Sequence, residues 1–129
     1  MNGKLVAFCC ERSGMVAWQE AQANGGLPAE LEVVAVPCAG RIGMVHLLKA
    51  FEGGAAGVMV FACIKDSCDS LRGNLHAEKR CESTRAILRS VGMEPERLEF
   101  CSIAPPMGAE FSEVVRTMME KVSSEEREG

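Results

Sequence analysis

Four short apolar runs alternate with longer segments of helical period along the 129 residues of the chain. The runs extend from Leu5 to Phe8, from Glu32 to Val36, from Gly57 to Ala62 and from Leu98 to Ile103. They are apolar on both faces, as the strands of a buried parallel sheet must be. Strands and helices that alternate in this way predict one parallel sheet with helices packed on its faces.

Two helices are predicted in the first half of the chain. The first extends from Ser13 to Asn24, a stretch rich in alanine and glutamine that has weak apolar periodicity and Trp18 as its one large anchor. The second extends from Met44 to Gly53, with an apolar face made of Val45, Leu48 and Phe51.

Two further helices are predicted in the second half. The third begins near Asn74 and ends before Gly92, with an apolar face made of Ala77, Cys81, Thr84, Leu88 and Val91. The last has the clearest apolar stripe, which consists of Phe111, Val114, Val115, Met118, Met119 and Val122. Both helices are therefore expected to pack on the sheet.

Right-handed crossovers between these elements predict a doubly wound α/β domain with about four parallel strands in the order 2-1-3-4, of the flavodoxin- or Rossmann-like kind. We expect one domain over residues 1–122 and a charged tail over residues 123–129 that frays. In such a sheet, ligands bind beside the carboxyl ends of strands one and three, where the strand order reverses.

Composition excludes several classes of protein. The net charge of −4 and the pI near 5.2 give no basic surface for nucleic acid. The apolar run behind the amino terminus is too short for a signal peptide or a membrane span, so a cytoplasmic protein is expected. In a reducing compartment, seven cysteines indicate metal ligation or thiol chemistry rather than disulfides.

Four cysteines follow the ends of three predicted strands, and they are Cys10, Cys38, Cys63 and Cys68. Because the carboxyl ends of parallel strands meet at one edge of a sheet, these thiols are expected to gather there. Cys9 and Cys10 point to opposite faces of an extended chain, so one of them is expected to serve, and the sequence does not choose. Cys81 and Cys101 fall inside predicted elements, as small apolar residues do.

The spacing of Cys63 and Cys68 indicates a metal centre. Two thiolates in a C-x4-C arrangement can reach one iron-sulfur cluster, as in the first half of the plant-type ferredoxin pattern. Zinc is the rival interpretation, although structural zinc prefers C-x2-C pairs and none is present. Spacing across separate loops leaves both metals open.

Other site chemistries have less support. A phosphatase-like cysteine loop needs an arginine six residues after the nucleophile, but Met15, Val16 and Asp69 stand there after Cys9, Cys10 and Cys63. The first strand is followed by neither a G-x-G-x-x-G sequence nor a P-loop lysine. The two histidines, His46 and His76, fall inside predicted helices, where a helix-surface position is the simpler interpretation.

Several longer segments carry a resemblance to a known family. They are FCCERSG, PCAGRIGMVHLLKAFEGGAAGVMVFAC, the C-x4-C-x4-GN segment that begins at Cys63 and is followed by Arg80, and GMEPERLEFCSIAPPMGAEFSEVV. Over nearly its whole length the chain resembles the iron-sulfur (delta) subunit of the methyl-viologen-reducing hydrogenase. That family links a hydrogenase or another dehydrogenase to the flavin subunit of heterodisulfide reductase.

The resemblance implies a 2Fe-2S cluster held by Cys10, Cys38, Cys63 and Cys68. It also implies an electron relay in which this chain is a non-catalytic subunit of an oxidoreductase complex. A fifth family cysteine falls on Ser13, and Ile64-Lys65-Asp66-Ser67 and Asp69-Ser70 stand where His-Pro-Gly-Asp and His-Tyr are usual.

Cations near the proposed ligands would offset the negative charge of a thiolate-rich cluster. Arg12, Arg41 and Lys65 are the candidates, and the alternative is that they are solvated loop residues. A second basic stretch is either a docking face or a solvated helix surface, and it comprises Arg72, Lys79, Arg80, Arg85 and Arg89.

Two functions of other classes stay open. One is a thiol-based redox protein, in which Cys9 or Cys10 has a lowered pKa near a helix amino terminus. The other is a docking module that has kept the fold and lost the cluster, which the serine at residue 13 suggests.

Overall fold

Four parallel strands form one sheet in the order β2-β1-β3-β4 in a computed structural model that describes residues 4–25, 27–62, 73–103 and 107–128. The strands are β1 (Lys4–Cys10), β2 (Leu31–Val36), β3 (Ala55–Ala62) and β4 (Leu98–Ser102). The strand order and the α/β class predicted from the sequence are confirmed.

The register aligns the carboxyl ends of neighbouring strands. Cys10, the last residue of β1, lies opposite Val36, the last residue of β2. On the other side of β1, Cys9 lies opposite Phe61, and β3 ends one residue later. Three strands therefore stop at nearly the same level of the sheet, so the loops that follow them share one edge.

The helices cover both faces of the sheet. They are α1 (Gly14–Asn24), α2 (Met44–Glu52), α3 (Gly73–Ser90) and α4 (Gly108–Glu128). Residues of α1 and α4 join one core cluster, and residues of α2 and α3 join the other, which is the doubly wound arrangement. Within the described residues, short 3₁₀ turns lie at Ala39–Arg41 and Pro95–Arg97. No described helix has the length and apolar character needed to span a bilayer.

One face of the sheet packs tightly against α4. The rings of Phe61 and Phe111 stack with their centroids 4.2 Å apart. Gly57 in β3 faces Met118, and a Cβ atom at residue 57 would lie 2.8 Å from the Met118 side chain. A larger residue at that position would force the Met118 side chain or α4 to shift.

Burial along the sheet is uneven. Every residue of β3 is buried, as is β1 after Lys4, but the edge strands β2 and β4 are partly exposed. The expectation that all four strands are buried on both faces is therefore wrong for the edges, because an edge strand has a neighbour on one side only.

The apolar face predicted for α2 is wrong at Val45. Val45 is 61% exposed, whereas Leu47 is 0% exposed and anchors the helix against the sheet. Leu48 and Phe51 are partly buried beside it, as predicted. Val45 precedes Leu47 by two positions, which places it on nearly the opposite side of the helix.

The apolar face predicted for α3 is confirmed except at its last residue. Ala77, Cys81, Thr84 and Leu88 are buried, but Val91 is 66% exposed. The helix ends at Ser90, and Gly92 then takes a positive φ of 86°, so Val91 lies beyond the helical stripe.

The stripe predicted for α4 is confirmed by the burial of Phe111, Val115, Met118 and Val122, with Val114 and Met119 partly buried beside them. The frayed tail expected over residues 123–129 stays a prediction.

Two core cysteines have raised pKa values. Burial, and to a smaller extent the neighbouring Cys10 thiol, raises the pKa of Cys9 from 9.0 to about 12. Burial likewise raises the pKa of Cys81 from 9.0 to about 11. Both thiols therefore stay protonated in the folded protein at pH values where an unfolded chain has begun to ionise.

Replacing Leu47 or Val45 with alanine, one at a time, tests which face of α2 packs on the sheet. We expect Leu47→Ala to lower the free energy of unfolding by about 2 to 5 kcal/mol, because it leaves a cavity in the core. Val45→Ala should change it by less than about 0.5 kcal/mol, because that side chain is mostly exposed. Urea unfolding measures both values, and equal losses would contradict the orientation of α2.

Alkaline titration of stability tests the buried thiols. Between pH about 9 and about 12, the unfolded chain releases the Cys9 proton while the folded protein retains it. The free energy of unfolding should therefore fall as pH rises through this window, and Cys9→Ala should reduce the slope. Val115→Ala, which also removes a buried side chain of the same face, should lower stability without changing the slope. Equal slopes in wild type and Cys9→Ala, measured by unfolding under reducing conditions, would refute the raised pKa.

Candidate metal centre

Cys10 lies at the carboxyl end of β1 and faces the exit of β2. Its side chain is 2% exposed, and its Sγ atom lies 4.0 Å from the carbonyl oxygen of Pro37. Pro37 directly precedes Cys38, so two of the four proposed ligands are brought to neighbouring positions at one edge of the sheet.

Cys38 opens the 3₁₀ turn that follows β2, and the backbone of this turn folds around its sulfur. The Gly40 N–H donates a hydrogen bond to the Cys38 Sγ atom at 3.4 Å. The Arg41 N–H donates to the Cys38 carbonyl oxygen at 2.9 Å. A backbone N–H directed at a sulfur stabilises its thiolate form, which is the form that binds a metal.

The other two proposed ligands lie outside the described residues. Cys63 directly follows the end of β3 at Ala62, and Cys68 and the candidate cation Lys65 belong to the same segment. Among the residues that are described, no group of three or more potential ligands is close enough to hold a metal ion. The convergence of all four thiols therefore stays a prediction.

Cys9 is directed away from this edge. It belongs to the core cluster that contains residues of α1 and α4, and Cys10 alternates to the opposite face. The structure thus distinguishes Cys9 from Cys10, between which the sequence did not choose a ligand. A reactive thiol needs a lowered pKa, whereas the pKa of Cys9 is raised, which argues against Cys9 as the nucleophile of a thiol-based redox protein.

Ser13 and Gly14 sit on the carboxyl ends of β1 and β3. A Cβ atom at Gly14 would lie 3.0 Å from the Phe61 carbonyl oxygen and 3.1 Å from the Cys9 Cα atom. This close approach brings the start of α1 onto the strand ends. Ser13 is 3% exposed, and within the described parts of the chain its hydroxyl oxygen has no hydrogen-bond partner.

Arg80 belongs to the family resemblance and to the basic stretch of the sequence, but sequence reasoning missed its role in holding the Cys38 loop. From α3, its Nη1 atom donates to the carbonyl oxygens of Gly40 and Ile42, the latter at 3.1 Å. It therefore fixes the loop that carries Cys38. The helical spacing could have indicated this role. Arg80 lies three residues after Ala77 and four before Thr84, so it falls beside the buried stripe of α3.

The residues of the basic stretch, which is predicted to be a docking face or a solvated surface, have different roles. Arg80 holds the Cys38 loop, and the Arg85 Nε atom donates to the Leu98 carbonyl oxygen at 2.9 Å. These two arginines are partly buried and bond the backbone, so the solvated-surface interpretation is wrong for them, and the docking interpretation stays a prediction. Lys79 and Arg89 are exposed, and Arg72 lies outside the described residues.

The remaining candidates lie on the surface. Arg12 lies in the turn between Cys10 and α1, Arg41 ends the 3₁₀ turn after Cys38, and both are exposed. His46 is exposed, and its Nδ1 atom accepts a hydrogen bond from the Gly43 N–H at 2.8 Å. His46 therefore supports the start of α2, which agrees with a helix-surface position. His76 is also exposed.

Known proteins resemble this chain over most of its length. The family model described as methyl-viologen-reducing hydrogenase, delta subunit, matches residues 5–124. The vhu iron-sulfur subunit of the F420-non-reducing hydrogenase of Methanopyrus kandleri is 35% identical over 118 residues, which are 91% of this chain and 89% of that protein. The protein of the same name from Methanocaldococcus jannaschii is 30% identical over 95% of this chain and 92% of its own length.

A third relative is much longer than this chain. It is a subunit of the ferredoxin:CoB-CoM heterodisulfide reductase of Methanosarcina mazei, and it is 32% identical over 95 residues, which are 74% of this chain and 12% of that protein. The similarity thus covers a small part of a reductase subunit and nearly all of the hydrogenase subunits. The family match and these identities show that the chain belongs to the family of the methyl-viologen-reducing hydrogenase delta subunit.

Proposed function

We propose that this chain is an electron-transfer subunit that carries a 2Fe-2S cluster on Cys10, Cys38, Cys63 and Cys68. It relays electrons between a hydrogenase or another dehydrogenase and a heterodisulfide-reductase-type flavin subunit. The observation that carries the proposal is the meeting of Cys10 and the Cys38 loop at one edge of the sheet, around Pro37. The names of the relatives, an iron-sulfur subunit of a hydrogenase and a subunit of heterodisulfide reductase, support it.

The described part of the edge fits such a cluster. It offers a buried cysteine, a second cysteine whose sulfur accepts a backbone N–H, and a buried hydroxyl without a partner in the described residues. Four thiolates are the ligand set that a 2Fe-2S cluster takes, and the cluster supplies a one-electron redox centre. Zinc would also accept four thiolates, but the C-x4-C spacing and the relatives' names favour iron and sulfide.

The residues of this chain have three roles in the proposal. Cys10 and Ser13 keep water from the carboxyl end of β1, because both are buried. The Gly40 N–H and Arg80 hold the Cys38 loop in one conformation. Arg12, Arg41 and Lys65 place positive charge near the anionic ligands, which lowers the cost of holding them.

The reductase relative supports the proposed partner. A stretch similar to this chain forms part of the heterodisulfide reductase subunit of Methanosarcina mazei. A domain that is covalently joined to a reductase in one protein is suited to dock on such a reductase when it is a separate chain. The proposal therefore places this chain between an electron-donating enzyme and that reductase.

Substitution of the two described ligands tests the cluster. Protein purified without oxygen should contain about two iron atoms per chain and absorb visible light. Cys10→Ala and Cys38→Ala should lose the iron and the colour, because a 2Fe-2S cluster needs all four thiolates. Cys81→Ala is the matched control, since Cys81 is a buried core thiol that is not among the proposed ligands, and it should keep both. Iron, sulfide and zinc analysis together with absorption spectra measures the outcome.

Three results would contradict the proposal in different ways. Colourless protein that stays iron-free after anaerobic reconstitution would exclude the relay. Stoichiometric zinc in place of iron would favour the rival metal. Electron transfer that continues in Cys38→Ala, with the complex intact, would favour a docking role for this chain.

Arg80→Met tests whether the loop anchor supports the ligands. The change removes the bonds to the Gly40 and Ile42 carbonyl oxygens, so we expect a loss of about 1.5 to 3 kcal/mol in the free energy of unfolding. It should also speed the release of iron to a chelator. Lys79→Met removes the same charge from the exposed neighbouring position and should do neither. Equal rates of iron release in the two variants would contradict the anchoring role.

A further inference from the structure

Ser13 precedes α1 in the position where a serine hydroxyl usually accepts a hydrogen bond from the first turn of a helix. Here the side chain makes no such bond. The residue is 3% exposed, so water has little access to the hydroxyl, and within the described residues it has no partner. A buried hydroxyl without a partner is costly, and native structures retain few of them.

The backbone of Ser13 is already fully used. Its N–H donates to the Cys10 carbonyl oxygen at 3.3 Å, and its carbonyl oxygen accepts from the Ala17 N–H at 2.9 Å. These two bonds fix the residue between the end of β1 and the first turn of α1. The hydroxyl alone remains for another partner.

The position of Ser13 lies between the strands that lead to the proposed ligands. Gly14 lies against Cys9 and the Phe61 carbonyl oxygen, so the start of α1 covers the ends of both β1 and β3. Cys10 is the last residue of β1, and residue 63 directly follows β3. The Ser13 N–H bonds the Cys10 carbonyl oxygen, so a cluster bound through Cys10 would lie at the same end of the sheet as the buried hydroxyl.

We propose that the Ser13 hydroxyl donates a hydrogen bond to a sulfur atom of the cluster and thereby raises its reduction potential. This inference rests on the proposed function. The reduced cluster carries one more negative charge than the oxidised cluster, so a donor directed at its sulfur stabilises the reduced form more. Ser13 acts as a donor and not as a ligand, because four thiolates complete the ligand set and a hydroxyl gives up its proton far less readily than a thiol.

A redox titration of Ser13→Ala in the full chain, prepared without oxygen, tests the inference. We expect unchanged iron content and a lower reduction potential, equivalent to about a tenfold fall in the equilibrium constant for one-electron reduction, or about 59 mV. Ser13→Thr keeps the hydroxyl and should restore the potential. Ser102→Ala removes an exposed hydroxyl from the carboxyl end of β4 and should leave the potential unchanged.

Two further measurements do not depend on the potential. Transfer into deuterated water should shift the iron-sulfur stretching frequencies more in wild type than in Ser13→Ala, because only wild type has the exchangeable hydroxyl proton at the sulfur. In cluster-free protein, Ser13→Ala should not lower the melting temperature, because the hydroxyl has no partner among the described residues. If Ser13→Ala does not fold, Ser13→Gly supplies the same measurements, since glycine is accepted before a helix.

The outcomes separate this inference from the proposed function. Wild-type protein without iron after reconstitution would overturn the proposed function and the inference with it. A cluster whose potential is the same in wild type and Ser13→Ala would overturn the inference alone. Loss of the cluster in Ser13→Ala would identify Ser13 as a ligand, and a lowered melting temperature of the cluster-free variant would identify it as a helix cap. Either result also overturns the inference.

Discussion

Parallel pairing of β1 with β2 and β3 brings the described parts of the candidate centre to one edge of the sheet. Cys10 and Cys38 are far apart along the chain, and the register of β1 and β2 brings their segments together around Pro37. The register of β1 and β3 brings the carboxyl end of β3 to the same level. A slip of one residue in either pairing would turn the strand's side chains to the opposite face and separate these segments.

The Cys38 loop illustrates how a short segment that lies outside the strands and α-helices is held in place. Its backbone groups bond to each other and to the Cys38 sulfur, and Arg80 reaches two of its carbonyl oxygens from the neighbouring helix. Charged donors form the stronger class of hydrogen bonds, and a partly buried arginine supplies several of them from one side chain. The position of the second proposed ligand therefore depends on α3 as well as on β2.

The sequence predicted the features that depend on a periodic apolar pattern. It failed for single residues whose position depends on one contact or on the exact end of a helix. The strands and the helices α2, α3 and α4 follow from apolar patterns that extend over many residues, and the strand order follows from the right-handed connections between them. Val45 was misplaced because two stripes fit a nine-residue helix about equally well, and Val91 because the helix ends one residue earlier. The roles of Arg80 and Ser13 depend on contacts with distant segments, which no local pattern records. The ligand roles of Cys63 and Cys68 stay predictions.

The close approach of Gly14 to the strand ends has a consequence for solvent access. A Cβ atom at residue 14 would lie 3.0 Å from the Phe61 carbonyl oxygen, closer than side chains usually approach, so even alanine would require the backbone to shift slightly. A larger side chain would require a larger shift of the first turn of α1 and would let water reach the Ser13 hydroxyl. Gly14 thus helps to keep this edge dry. Its replacement by a larger residue would admit water to the centre without changing any cysteine.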